Sequence, residues 1–415
     1  MGGEERVSAS YPDPHEAFYY KRLNPMDTLH TVLNRGCSIW DQSLVPTEEF
    51  QNRLEQIRKG MEERSLELML VYGDSWKLGN LAYVSHFMPK NRGALALIPR
   101  TGDPALVVQE PSRNNPFSRT LTWFGDVVSV GGFMQGLAQV LRARGLQPKR
   151  VGLATVEEQL GAKQWGGLIK GLEGVEMVNC GDLIGSLRRT KSSREAALVK
   201  RSAEILTDAF SLLRKEMKEH RKEYEIMALA ERVARGQGAE DFRFLVARSS
   251  QPEIGLRPVS HSEIAKGEGL LVSMAMSYQR YWAELGQTYF LGKPVKDAIE
   301  SHELAKKVYL KLQEEVKPGT RPESADSWIS DCLSSARARD SIRAYGVGNG
   351  IGLDLVEEPM LGKEASPEIC EGMVLTLRVC LQGKECGSAL LASPYRVTSS
   401  GVESLGDVAT ELVAV

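Results

Sequence analysis

The 415-residue sequence predicts an α/β domain followed by an α+β domain. Three observations predict it. From Thr47 to about Cys180, amphipathic runs alternate with short apolar runs, the order of a layered α/β unit. Ser192-Ser193-Arg194-Glu195 has the spacing of a capping box and opens a new helical stretch. Beyond it, two pairs of helical patterns are each followed by strand patterns.

Residues 1–45 form an arm, polar at first and aromatic at Phe18, Tyr19 and Tyr20. Such an arm either packs along a subunit surface or lacks fixed structure. The first domain is placed at 46–182. Its first helix follows Thr47 as cap and sets Phe50, Leu54, Ile57 and Met61 at helical spacing. Leu68 to Tyr72, Ala94 to Ile98, Ala105 to Val108 and Val151 to Ala154 read as strands, with helices near Phe133 to Arg144 and Val156 to Leu172. Leu183 to Lys191 reads as a linker, and 192–415 as the second domain. Its first helix carries Leu206, Ala209, Phe210, Leu213 and Met217 on one stripe, a core face. Tyr224 to Ala234 makes the second helix. Glu300 to Val316, stopped by Pro318-Gly319, and Pro322 to Arg339 repeat the pair.

Between the helix pairs, Gly267 to Gly292 reads as two strands joined at Tyr278-Gln279-Arg280. Leu270 to Met276 is apolar except for Ser273, the pattern of a strand covered on both faces. The second arm, Tyr281 to Leu291, carries one carboxylate, Glu284. The hairpin therefore takes Ser273 and Glu284 into the interior.

Composition excludes several classes of function. A formal net charge of -2 suggests neither nucleic acid nor an anionic membrane as partner. No apolar run approaches a membrane span, and the first residues lack a signal-peptide core. Met1-Gly2 does not make a myristoylation site, because Arg6 stands where Ser or Thr is needed. A cytoplasmic location is expected. The six cysteines have neither paired CxxC spacing nor the density of a disulfide scaffold. Cys380 and Cys386 flank a predicted turn and read as two reduced thiols; a nucleophilic Cys380, lowered in pKa by Arg378 two residues away, is the sharper alternative.

The hairpin resembles the first metal-ligand hairpin of the pita-bread fold shared by creatinase, aminopeptidase P, prolidase and methionine aminopeptidase. Three further stretches keep the same order. Gly348 to Pro359 is similar to that family's GHGIGLDxHE segment, Glu371 to Arg378 to PGMVFTIE, and Ala392 to Gly401 to EDTVLVTEDG. The resemblance covers about residues 47 to 410 and implies a creatinase-like N-terminal domain before a pita-bread domain with pseudo-twofold halves. It implies that the five ligand positions carry Ser273, Glu284, Asn349, Arg378 and Ala392, and that Val356 stands where the family has a second, substrate-facing histidine.

A dinuclear hydrolytic site bridges and deprotonates a water between two cations, which want anionic oxygen and imidazole ligands. Here one carboxylate remains and one guanidinium has been added. A unit pair at about 4 Å is worth roughly 4 kcal/mol at an effective dielectric of about 20, so Arg378 repels a cation about as strongly as Glu284 attracts it. No metal and no other cofactor is expected. Glu284 and Arg378 are expected to pair with each other across the former metal space, either as a filler or as a working polar pocket. The creatinase mechanism is not inherited: its catalytic histidine position holds Leu256 followed by Arg257, and its glutamate positions hold Gly286 and Arg378.

The first functional expectation is a metal-independent enzyme that hydrolyses or cleaves a C–N bond in a small amino-acid, guanidino or peptide-like compound. Glu284 would be base or ammonium anchor, and Arg378 and Arg257 carboxylate binders. Asn349 and Ser273 would orient the substrate, and His261, the histidine nearest the pocket, is either an acid/base or a surface residue. Trp76 and His86 either line a pocket or belong to surface and core. The second expectation is a catalytically inactive homologue that serves a partner, and the third a metal-dependent Xaa-Pro peptidase. A homodimer is expected, or a heterodimer with a metal-competent paralogue.

Overall fold

The computed structural model describes residues 39–90, 92–384, 387–406 and 409–415. The arm up to residue 38, with Phe18, Tyr19 and Tyr20, and Cys386 beyond the turn lie outside the described residues.

Helix α1 (Thr47–Glu63) buries Phe50, Ile57 and Met61, the stripe the spacing predicts. It packs beside a six-stranded sheet built from β1 (Leu68–Asp74), β2 (Gly93–Pro99), β3 (Ala105–Gln109), β4 (Asp126–Val130), β5 (Arg150–Ala154) and β6 (Glu176–Asn179), in the order β4-β3-β2-β1-β5-β6. Strand β1 meets β2 antiparallel and β5 parallel, so the sheet is mixed. Helix α2 (Gly79–Ser85) leaves β1, while α3 (Phe133–Ala143) and α4 (Ala162–Gly171) lie against the sheet through Phe133, Leu137 and Leu168. The stretch read as a linker is helical, α5 (Gly181–Arg189), because Leu183, Ile184 and Arg188 are buried.

Ser192 caps the next helix, α6 (Ser193–Glu216). Its side chain accepts from Glu195 N, and the Glu195 carboxylate accepts from Ser192 N at 2.9 Å. Helix α7 (Glu223–Gly236) completes the first pair, followed by β7 (Asp241–Arg248), β8 (Gly269–Tyr278) and β9 (Tyr281–Phe290). The second half brings α8 (Lys296–Glu315), α9 (Ala325–Cys332) and α10 (Ala336–Tyr345), then β10 (Gly348–Gly350), β11 (Glu357–Met360), β12 (Val374–Gly383) and β13 (Gly387–Thr398). The seven strands run β11-β10-β12-β13-β9-β8-β7, with β14 (Gly401–Ser404) on β13 and β15 (Val413–Ala414) on β9, so that one nine-stranded sheet joins both halves.

Alternation then fixes what each face of that sheet carries. Leu270, Val272 and Met274 of β8, with Ala283, Leu285 and Tyr289 of β9, pack on the helix side with α6. Leu375, Leu377 and Val379 of β12 do the same against α8. Residues one step out of phase, Leu271 and Ser273, Glu284, Arg378, Cys380 and Leu390, occupy the opposite face, where the candidate site forms.

The β8–β9 turn has two residues, Gln279 and Arg280, at φ 45° and 75°. Two-residue hairpins favour residues such as Asn-Gly at these angles. Here tertiary contacts hold the conformation instead. Arg280 N and Nη1 donate to the Glu240 carboxylate at 2.7 and 2.5 Å, and Nε donates to His86 O at 3.0 Å. Gln279 Oε1 lies 3.2 Å from His86 Nε2, so His86 is a core residue. Two further buried ionic groups join the domains. Arg53 of α1 pairs with Glu195 of α6 and donates to the Tyr281 hydroxyl. Arg188 and Lys191 grip Glu357 at 2.5 and 2.7 Å, and Arg188 also reaches Asp354. Among the described residues no helix is long and apolar enough to cross a membrane.

Candidate functional site

Four strands, β8, β9, β10 and β12, bring four polar side chains together. The hairpin register sets Ser273 opposite Gly286 and Ala275 opposite Glu284, which makes Ser273 and Glu284 diagonal neighbours on one face. The Ser273 hydroxyl donates to Glu284 Oε1 at 3.3 Å. From β12, Arg378 places Nε 3.0 Å from Glu284 Oε1 and Nη2 2.5 Å from Oε2, a two-pronged carboxylate contact. Nη2 also donates to Asn349 Oδ1 at 3.1 Å, and Nη1 to the Tyr345 carbonyl at 3.4 Å. Asn349 is turned by its own amide, which donates to the carbonyls of Gly350 and Leu355 at 2.7 and 3.2 Å. Burial works against the charged guanidinium, but the Glu284 carboxylate more than offsets it, so Arg378 is held above its ordinary pKa.

Close packing surrounds this cluster. Ala392 stands opposite Arg378 on one side and Gly286 on the other, and a Cβ on Gly286 would come 3.0 Å from that of Ala392. Cys380, two residues beyond Arg378, is buried with Ala247, Leu271 and Leu390. Among the described residues Thr376 Oγ1, on the face of β12 that carries Arg378, is buried without a hydrogen-bond partner.

A pair of cations does not fit these side chains. Among the described residues no three His, Cys, Asp or Glu side chains gather as a metal site. Of the five positions implied as ligands, Ala392 offers no donor atom, and the one carboxylate, Glu284, is already occupied on both oxygens.

The structure brings Ser273, Glu284, Asn349 and Arg378 together and leaves Arg257 and His261 elsewhere. Arg257 does not extend toward the cluster: its Nη1 and Nη2 clasp Glu223 of α7 at 2.7 and 2.8 Å, because that carboxylate, fully buried, needs a cation. His261 is exposed and meets the Tyr224 ring edge-on at 5.4 Å, with no bond to the cluster. The surface alternative thus describes His261, while Arg257 is drawn off by Glu223 at the start of α7.

Sequence reasoning missed a cleft of about 560 Å³ between the two domains, which reaches Trp282, two residues before Glu284 on β9. It is lined by the Ser75–Asn80 turn, Arg243, Trp282, Asp354 and Val356. Trp76 is in it, as one of the two alternatives for that residue held. Arg243 gave no signal, being one arginine among many, until the register set it beside Trp282, with its guanidinium carbon 4.6 Å from the ring centre.

Residues 197–399 match the metallopeptidase family M24, and residues 53–190 match the creatinase/prolidase N-terminal domain. The chain is 25% identical over 234 residues to the Xaa-Pro dipeptidase of Pyrococcus horikoshii, an alignment that covers 56% of this chain and 66% of that protein. It thus spans just under two thirds of that relative's length. The uncharacterized peptidase YqhT of Bacillus subtilis is 22% identical over 363 residues, 87% of this chain and 99% of its own. Among solved structures, an Xaa-Pro dipeptidase from Bacillus anthracis matches with a TM-score of 0.76 at 19% identity, covering 88% of this chain and 100% of its own. The prolidase from Pyrococcus horikoshii OT3 matches with a TM-score of 0.77 at 21% identity, covering 87% and 100%. At these identities the structures speak for the fold alone: a creatinase-like N-terminal domain followed by a pita-bread domain.

Proposed function

The chain belongs to the pita-bread family of creatinase, aminopeptidase P, prolidase and methionine aminopeptidase, and on that premise we propose that it is a metal-independent enzyme acting on a small zwitterionic amino-acid, guanidino or peptide-like compound. The relatives named as dipeptidases support the peptide-like class. One observation carries the reading: Glu284 and Arg378 hold each other, with Ser273 and Asn349, where the family resemblance implies a metal centre.

That pair is selective by charge. Any ligand that enters must replace both halves of it, since a buried charge left alone costs several kcal/mol. A carboxylate takes the Arg378 fork, and an ammonium or guanidinium end offsets Glu284. Only a zwitterion does both. Hydrolysis then forms a bond from water oxygen to the substrate carbon and breaks the C–N bond. Glu284 passes the water's proton to the leaving nitrogen, and no oxidant or further reactant is needed.

The test combines metal analysis with binding. The protein purified from its own host is weighed by native mass spectrometry, and zwitterionic dipeptides are titrated into wild type, Glu284→Gln and Arg378→Met. Expected are no stoichiometric metal, turnover indifferent to chelator, and at least about tenfold weaker binding in both variants. Stoichiometric manganese, cobalt or zinc with chelator-sensitive turnover would overturn the metal-free reading. Equal binding by all three proteins would overturn the site, and a second pita-bread chain in the complex would make this one a helper subunit.

A further inference from the structure

The cleft between the domains is built differently from the polar cluster. On one wall Trp76 projects with 78% of its surface exposed. Its backbone is not loose: Asp74 Oδ1 accepts from Trp76 N at 2.7 Å and from Lys77 N at 2.9 Å, which fixes the turn. Across the cleft, Trp282 carries the Arg243 guanidinium over its ring. Arg243 is exposed and pairs with no carboxylate among the described residues. Val356, 53% exposed, adds an apolar group where the family resemblance implies an imidazole. A single exposed tryptophan is ordinary. One carried on a fixed turn and lining a cleft of about 560 Å³ together with an arginine stacked on a buried indole has the size and lining of a small-molecule site.

Two connections tie this cleft to the cluster. Trp282 lies two residues before Glu284 on the same face of β9, about 7 Å along the strand. The loop carrying Val356 is anchored by Asn349, whose amide donates to Leu355 O while its carbonyl oxygen accepts from Arg378. A substrate held at Glu284 and Arg378 would therefore extend into the cleft.

We propose that the cleft is a side-chain subsite for an aromatic residue of the substrate, its ring lodged among Trp76, Val356 and the Trp282–Arg243 stack. This rests on the preceding reading for the position of the zwitterionic end. The exposed Trp76 indole and the flat Arg243 guanidinium, backed by the buried Trp282 ring, favour a ring over a branched aliphatic chain.

Three probes separate the two readings: alanyl-phenylalanine, alanyl-alanine and the uncharged N-acetylphenylalaninamide, titrated calorimetrically into wild type, Trp76→Ala and Arg243→Ala. Alanyl-phenylalanine is expected to bind wild type about tenfold more tightly than alanyl-alanine, a preference cut to about threefold or less in each variant, with alanyl-alanine affinity unchanged. N-acetylphenylalaninamide is expected to bind weakly and to lose that binding in Trp76→Ala. Equal affinity of wild type for the two dipeptides, or a preference that survives both substitutions, would overturn the subsite. If the amide binds in a Trp76-dependent way while neither dipeptide binds, the subsite stands and the zwitterion reading falls. If nothing binds, both fall.

Discussion

Removing Arg378 alone should be far more damaging than removing the pair. The Glu284 and Arg378 side chains are 9% and 16% exposed, so solvent screens them little. In Arg378→Met, Glu284 keeps only the Ser273 hydroxyl at 3.3 Å, and Asn349 Oδ1 and Tyr345 O lose a donor. A buried charge stripped of its partner costs about 3–5 kcal/mol. Glu284→Leu leaves the guanidinium with Asn349 and the Tyr345 carbonyl, a loss of about 3 kcal/mol on the same grounds. The double variant Glu284→Leu/Arg378→Met buries no charge, and replacing a buried ion pair by apolar groups of similar volume is often close to neutral. The coupling should therefore exceed about 2 kcal/mol. Urea unfolding of the four proteins, followed by tryptophan fluorescence, measures the cycle. Additive losses, or single substitutions costing under about 1 kcal/mol, would refute the buried pairing on which the proposed ligand exchange depends.

Three other outcomes follow from the structure. Burial opposes the Glu357 charge, but Arg188 and Lys191 more than offset it and hold the carboxyl at about 2 against an ordinary 4.5. Its contribution, about 3 kcal/mol, is complete above pH 5 or so and lost as pH falls through that interval; Glu357→Gln should flatten this limb of the stability–pH curve. Burial first, and Arg280 next, keep His86 well below its usual pKa, so the unfolded chain takes up a proton that the native state refuses. Stability should start to fall as pH drops through about 6.5, and His86→Asn, which tolerates the φ of 59° there, should remove that slope. Gly348 sits at φ 147° with a would-be Cβ 2.4 Å from Thr376 O, so Gly348→Ala should displace β10, cost about 1–3 kcal/mol and weaken dipeptide binding by loosening Asn349. Thermal melts and the same titrations check it.

Much of this was legible before the fold was known, and for identifiable reasons. The Ser192 cap, the α1 stripe and the apolar β8 run are local patterns, and each lies where its periodicity puts it. The Glu284–Arg378 contact was legible through the family resemblance, which put both residues at former ligand positions, and the strand ladder of β8, β9, β13 and β12 brings them together. Strands β4 and β6 were not legible: Asp126, Ser129, Glu176 and Asn179 interrupt their alternation at the sheet's two edges, where solvent tolerates polar groups. Pro322 to Arg339 reads as one helix but breaks after Cys332, where Leu333 turns extended into the core. The place of Arg257 was not legible because its partner, Glu223, stands more than thirty residues earlier, beyond the reach of local pattern.

The buried ionic groups that span the two domains also bear on how this protein can be inherited. Glu195, Arg280 and Glu357 all belong to the C-terminal half, and their partners Arg53, the His86 carbonyl, and Arg188 with Lys191 lie on the other side of Ser192. A recombination event that transplanted the nine-stranded half without its companion would deliver a unit with three charged sockets open to water. The two halves of this chain are therefore matched to each other at three buried positions.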